Sequence, residues 1–479
     1  MPHDPTPRIL HYRVATRESR LRRSQGAPDF GTLSPIHRGS VPIETSSETP
    51  EAAPASAAPP ASAGGRRGAF RALRHRNFRL FFGGQFTSLI GTWMQSVAQG
   101  WLVLKLTNSS LMLGVVSFAG YLPVLAVTLF AGVVVDHVDR RRLIIATQAL
   151  LMLSAFALAA LTWAGVVRVE HVALLAAFNG LVTAFDMPGR QAFVVEMVGR
   201  EDLPNAIALN SMIFNGARVV GPAIAGVLIG MVGTAGCFFL NGVSYLAVIW
   251  SLWEMDLVAR EAAPIGGAML VRLREGLVFV RRHRASFYLL LLVAINAGFG
   301  MQYSVLMPVF ARDVLHGAAR TYGFLLAAQG IGALVGALVL ASRRSPRALR
   351  QNLVVGLFGA AAGILAFGFS PWIWLSMVAQ MVIGAGLINH TATSNTMLQL
   401  FVSDELRGRV MSMYTLSFIG LAPIGSLEVG YVGELASPQI AVALSALATL
   451  ACGIIVASRL DVIARAQATV SDEAHAAAD

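Results

Sequence analysis

Between Phe78 and Arg459 the chain is a succession of apolar stretches of about 20 residues, broken by short polar or basic interruptions. At 1.5 Å per residue, such a stretch coiled as a helix crosses a hydrocarbon core of ~30 Å. The pattern predicts an all-α membrane protein with twelve transmembrane helices, near 79–104, 110–135, 142–164, 170–189, 204–231, 235–255, 286–310, 321–342, 351–370, 372–395, 409–433 and 437–459. Pro123, Gly221-Pro222 and Pro308 fall inside these spans, where both residue types are common. Residues 1–65 are rich in Pro, Ser and Ala and lack the apolar core of a signal peptide, which predicts a disordered cytoplasmic tail. The expected organisation is that tail, a six-helix half over 66–255, a linker over 256–285, a second six-helix half over 286–459 and a cytoplasmic tail over 460–479.

Composition narrows the class. Charged residues make up 13% of the chain, against about 25% in soluble domains, so a soluble enzyme is excluded. Cys237 and Cys452 both lie in apolar stretches, leaving no disulfide framework and no thiolate metal site. The single lysine, Lys105, precedes Leu106 and not Ser or Thr, which removes the phosphate loop of ATP-driven pumps. No cofactor or metal is expected. The net charge of +11 reflects orientation: 25 basic residues flank one set of span ends and only four, Lys105, Arg168, Arg312 and Arg320, flank the other. Basic residues stay on the cytoplasmic side, so both termini are expected there and no nucleic-acid partner is needed.

A weak internal repeat accompanies the count. Shifting the chain by 209 residues places Phe78 on Phe287, Gly91 on Gly300 and Gly114 on Gly323, and Glu201-Asp202-Leu203 is similar to Asp404-Glu405-Leu406 at a shift of 203. Two related six-span halves describe a carrier whose site lies between them.

Four strings carry a family resemblance. Gly132-Val-Val-Val-Asp136, followed by Arg140, Arg141 and Arg142, resembles the motif joining helices two and three of the major facilitator superfamily, with His137 and Asp139 departing from its usual pattern. Gly221-Pro222, with Gly226 beyond it, is similar to the helix-five motif of the superfamily's proton-coupled exporters; its chemistry is equally that of tight helix packing. Phe185-Asp186-Met-Pro188-Gly-Arg190, with Asp404-Glu405-Leu-Arg407-Gly408-Arg409, resembles the exporter branch that includes the enterobactin exporter and macrolide efflux proteins. The resemblance covers about 70–459 and implies the major facilitator fold, with Gly132, Asp136, Arg140, Arg141 and Asp186 acting as a conformational latch at the cytoplasmic end. One departure is Ala176, where many family antiporters carry a basic residue in helix four.

Candidate chemistry lies on the polar faces. Gln85, Ser88, Thr92, Gln95, Ser96 and Gln99 share one face of the first span, which must look into the bundle because lipid cannot satisfy it. They either line a substrate cavity or bond neighbouring helices. Asn296, Gln302 and Asn389 are the corresponding candidates in the second half. Arg218 and Glu428 sit well inside spans, where a lone charge is costly and requires a partner or water. Arg218 either meets an anionic substrate group or braces a helix; Glu428 and Asp186 are the candidates for a coupled proton. His390 is expected to be a satisfied packing residue.

These features predict a secondary exporter of small organic molecules, siderophore- or drug-like, in the bacterial inner membrane, working by alternating access, with proton antiport and a monomeric state. A lysolipid or lipid carrier and a non-transporting membrane sensor are the alternatives, and an enzyme is not expected. Reporter fusions after Ser345 should read out cytoplasm and fusions after Gly317 periplasm; the reverse pattern would overturn the orientation.

Overall fold

The computed structural model describes residues 70–256, 269–343 and 345–476; the expected tail over 1–65 lies outside them. Among the described residues the chain is helical throughout. Helices α1 (Arg76–Thr107), α2 (Ser110–His137) and α3 (Arg140–Trp163) are followed by α4 (Val169–Trp253), a hydrogen-bonded run of 85 residues. Gly199 (φ 69°) and Gly233 (φ 72°) break α4 into α4a (169–198), α4b (200–232) and α4c (234–253). Both lie in the left-handed region that glycine enters without a Cβ penalty, so the chain turns there with almost no loop.

A linker helix, α5 (Met269–Arg282), precedes α6 (Arg284–Val314), whose regular coil gives way to a π turn at Asn296–Gly300 and a 3₁₀ turn at Gln302–Leu306. Then come α7 (Ala319–Ser342), α8 (Pro346–Gly368), α9 (Ile373–Leu400), α10 (Asp404–Gly420, continued by Ala422–Leu435), α11 (Pro438–Ser458) and α12 (Leu460–Ala476). Nine of the described helices, α4 counted once, are long and apolar enough to cross a membrane. Helix α1 is not among them, because its stripe of Gln, Ser and Thr dilutes its apolar content. Two boundaries differ from the sequence reading: α4a continues through Pro188 to residue 198, and the carboxyl tail from Leu460 is helical, with Ile463 buried and Gln467 bonded to Arg350.

The apolar core is divided unequally. At the end that carries the 107–110, 314–319 and 435–438 connections, one cluster joins residues from both parts of the chain, among them Trp101, Leu104, Leu113, Phe310, Leu315 and Phe367. At the basic end there are two clusters. One is built from Phe78, Phe81, Ile144, Phe193 and Leu252, the other from Leu289, Leu353, Met397, Val410 and Ile463. The first half and the second half therefore share a core at one end only.

Close backbone approach makes the shared end possible. A Cβ added at Gly114 of α2 would lie 2.5 Å from the Ser426 carbonyl oxygen of α10, and one at Gly323 of α7 would strike the Pro222 carbonyl of α4b. Polar contacts reinforce this seam. Glu434 accepts hydrogen bonds from Ser109 Oγ (3.0 Å) and from the backbone N–H groups of Ser110 (2.7 Å) and Leu111 (3.3 Å), capping the exposed amides that open α2. Arg312 donates to Asn108 Oδ1 at 2.7 Å.

Within the second half α7 and α9 approach as closely: a Cβ at Gly384 would fall on the Gln329 carbonyl oxygen, whereas one at Gly359 would meet nothing within 4 Å. Gly384→Ala should therefore cost about 1–3 kcal/mol of stability through overpacking, read as a lowered thermal midpoint of the purified protein. Gly359→Ala should leave the midpoint unchanged or slightly raised.

Candidate functional site

A cavity of about 630 Å³ lies inside the bundle. Its wall belongs mainly to the first half and is completed from the second by Ser304, Val305 and Pro308 of α6 and by Tyr322 and Leu326 of α7. The polar stripe of α1 supplies Ser88, Thr92, Gln95, Ser96 and Gln99 to it. Gln85, one turn below Ser88, is buried outside the lining.

The stripe both lines the cavity and bonds its neighbours. Asn241 Nδ2 of α4c donates to Gln95 Oε1 at 2.6 Å, and Thr92 Oγ1 lies 3.4 Å from the Tyr245 hydroxyl. Across the cavity Asp186 of α4a is completely buried. Its Oδ1 accepts hydrogen bonds from Thr147 Oγ1 (2.7 Å) and Gln148 Nε2 (2.9 Å) of α3, and its Oδ2 lies 2.5 Å from the Arg190 guanidinium one turn along. Nearby, Gln148 Oε1 and Asn179 Oδ1 are buried acceptors with no hydrogen-bond partner within the protein. A site of this kind suits a molecule that brings N–H or O–H donors, because unsatisfied buried acceptors are costly until met.

The remaining candidates lie elsewhere. Arg218 donates to Gln329 Oε1 of α7 at 3.2 Å and stands 5.8 Å from the centre of the Trp93 ring. Gln329 continues to the Tyr303 hydroxyl (2.7 Å), which donates to Gln380 Oε1 (2.9 Å). This chain braces the two halves against each other. Asn296 accepts from Thr449 Oγ1 at 3.0 Å, Gln302 donates to the Ala297 carbonyl at 2.8 Å, and Asn389 donates to the Ala385 carbonyl at 2.8 Å; these three lie outside the cavity lining. Glu428 is half-buried in α10, on the same helix as the seam residue Glu434.

His390 is a correction to the sequence reading. It is buried, yet both ring nitrogens lack a hydrogen-bond partner, as do Thr393 Oγ1 and Ser394 Oγ on the same helix face and Asn352 Nδ2 on α8. The Gly356–Asn389 contact sets the antiparallel register of α8 and α9 and brings Asn352 level with Thr393 and Ser394.

At the basic end Arg140 pairs with Glu196 at 2.6 Å, and Arg141 donates to the Trp253 carbonyl at 2.9 Å. Gly132 is half-buried with open space where a Cβ would stand, and the Asp136 side chain lies outside the described residues. Glu196 escaped the sequence reading because the fourth span was ended at 189, seven residues before it. In the helix-five motif, a Cβ at Gly221 would meet Trp93 Cβ of α1 at 2.6 Å, and one at Gly226 would meet Arg320 Cα of α7 at 3.0 Å. Pro222 presents its carbonyl to Gly323, so the motif packs α4b on both flanks.

The model of the transmembrane secretion effector family matches residues 67–478. The chain belongs to this family. Among its relatives, the multidrug efflux pump Tap of Mycolicibacterium fortuitum is 30% identical over 362 residues, 73% of this chain and 87% of the pump. The staphyloferrin A transporter of Staphylococcus aureus is 23% identical over 73% of this chain and 87% of its own length. Macrolide efflux protein A of Streptococcus pyogenes is 22% identical over 74% of this chain and 89% of its own length. Solved structures share the fold: a bacterial homologue of the iron transporter ferroportin superposes with a TM-score of 0.62 at 15% identity, over 80% of this chain and 98% of that one. A bacterial homologue of the lysosomal transporter Spinster gives 0.61 at 14% identity, over 85% and 99%. This secretion effector is thus a multi-pass membrane transporter of the major facilitator type and not an enzyme.

The Asp186–Arg190 pair makes a stability prediction. Arg190→Gln leaves a fully buried carboxylate without its cation, and should cost roughly 2–3 kcal/mol, somewhat below a fully buried pair because the Arg190 side chain is 23% exposed. The double variant Asp186→Asn/Arg190→Gln should recover most of that loss in a thermal unfolding series on purified protein. A double-variant loss equal to the sum of the two single losses would show that the pair is not coupled.

Proposed function

We propose that this secretion effector exports small organic molecules, siderophore- or drug-like and neutral or weakly charged, by alternating access with proton antiport. The observation that carries the reading is the cavity itself. It is of drug-like size, has a mainly apolar wall into which neutral polar side chains are set, and contains one buried acid beside a cationic partner, Asp186 with Arg190. The two unpartnered acceptors, Gln148 Oε1 and Asn179 Oδ1, favour a substrate that carries hydroxyl or amine donors. The efflux and siderophore-transport roles of the relatives agree with that chemistry.

The cycle follows from the divided core. Twelve membrane spans form two six-helix halves, with both termini in the cytoplasm and a single chain as the working unit. The shared cluster then seals the periplasmic end, and the cavity communicates with the cytoplasmic, basic end. Opening the outer face requires the seam at Gly114, Gly323 and Glu434 to part while the two basic-end clusters come together. Protonation of Asp186 removes its attraction for Arg190, which frees the guanidinium and changes the charge that the cavity presents to substrate. Arg140–Glu196 and Arg141–Trp253 hold α3 to α4 within the first half, so that half moves as one body.

Asp186→Asn should separate binding from energisation. In proteoliposomes loaded with a fluorescent amphipathic efflux dye, transport driven by an imposed pH gradient should fall to background, while dye exchange at equal concentrations on both sides persists. A variant that keeps wild-type gradient-driven transport would remove Asp186 from the coupling step. Loss of exchange as well would make it a binding residue.

A further inference from the structure

A second cavity, about 730 Å³, opens at the basic end between the linker helix α5 and the beginning of α10. Arg274, Arg282, His283 and Arg409 supply its polar wall, and among the described lining residues none is acidic. Its apolar wall is Val278, Phe279 and Leu406.

His283 is fixed in a defined state. Its Nδ1 accepts the Ser286 backbone N–H at 3.2 Å, where it caps the start of α6, so that nitrogen is unprotonated and the ring's proton sits on Nε2. The ring stacks on Phe279, with centroids 5.5 Å apart and planes 18° apart, and meets the Phe401 edge at 5.6 Å. Burial pushes its pKa below the usual histidine range, so the neutral, single-donor form persists at neutral pH.

Depth decides between ligand classes. The membrane-long helix Arg284–Val314 begins one residue after His283, a wall residue. On the proposed topology the cavity therefore lies where that span leaves the hydrocarbon, at the headgroup zone. Leu277 and Val278 of α5 are exposed there, 38% and 43%, giving an apolar track beside the arginines. Soluble phosphates need no such track, and a basic cluster at this depth meets a negative lipid surface.

We propose that this cavity binds the phosphate headgroup of an anionic phospholipid, held by Arg274, Arg282, Arg409 and His283 Nε2–H, with an acyl chain lying along Leu277 and Val278. The bound lipid ties the linker helix to α10, and with it the connection between the halves to the second half. The site is separate from the substrate cavity and stands whether or not the coupling acid is Asp186.

The test uses the full-length protein in detergent, titrated with phosphatidylglycerol or phosphatidylcholine, with retained lipid counted by native mass spectrometry and stability followed by thermal midpoint. Wild-type protein should retain one phosphatidylglycerol in preference to phosphatidylcholine and gain thermal stability from it. Arg274→Gln/Arg282→Gln should weaken that binding roughly 25-fold, at about fivefold for each arginine near a membrane surface. Arg343→Gln/Arg347→Gln removes the same charge from another connection at the same end and should leave it unchanged. Undiminished binding in the first variant, or an equal loss in the second, would overturn the proposal. Protection by glycerol 1-phosphate equal to that by the intact lipid would also overturn it, by making the ligand a soluble phosphate.

Discussion

Backbone-on-backbone contact between the halves is the constraint on which this architecture rests. Lipid tails are as apolar as leucine, so membrane helices gain little from burying apolar side chains against one another, and close packing must supply the attraction. The secretion effector meets this requirement with small residues, pairing α2 with α10 at Gly114 and Gly430 and α4b with α7 at Pro222, Gly226 and Gly323. Where those helices touch, the aromatic and aliphatic side chains of both halves merge into one cluster. Farther toward the basic end the contact is lost, the core divides in two, and the space between becomes the cavity. Floor, wall and opening are consequences of one seam.

Much of this was legible in the chain before any coordinates. Span length fixed the helices, and the α1 stripe pointed to a cavity because lipid cannot satisfy glutamine. Its polarity is also why α1 is the helix that hydropathy alone passes over. What could not be read was which groups meet. Asn241 lies 146 residues from Gln95, Gln329 lies 111 from Arg218, and Glu434 lies more than 320 from the serines it caps. Periodicity places a residue on a face; it does not name the helix across from it. Ser109 illustrates the limit: it caps the start of α2 by accepting the Met112 N–H, and the carboxylate that completes the cap comes from the far end of the chain.

The offset of 209 acquires physical content from the same contacts. A Cβ at Gly91 would strike Asn241 and Ser244 of α4c, and one at Gly300 would strike Asn296 and Thr449, the latter on α11. Gly114 meets the carbonyl of Ser426 in the other half, and Gly323 meets that of Pro222 in the other half. Each glycine thus answers a close approach of the same kind as its counterpart.

Polar groups are distributed just as unevenly between the halves. In the first, Asp186 Oδ1 accepts two hydrogen bonds, Oδ2 is paired with the Arg190 charge, and the cavity wall retains spare acceptors; in the second, the His390 ring nitrogens, Thr393 Oγ1, Ser394 Oγ and Asn352 Nδ2 are buried away from the cavity without protein partners. Buried polar groups in that condition are costly in a low-dielectric interior unless water or a rearranged neighbour satisfies them. A half that only had to pack would replace them with apolar residues at little loss. On the proposed cycle the second half must slide against the first while its own helices stay together, and a cluster short of partners in one state is free to gain them in the other. The seam stabilises the state in which the outer end is closed, through Glu434, Arg312 and glycine contacts. A compensating gain has to exist in the opposite state for exchange to be rapid, because two states interconvert usefully only when they differ by a few kcal/mol.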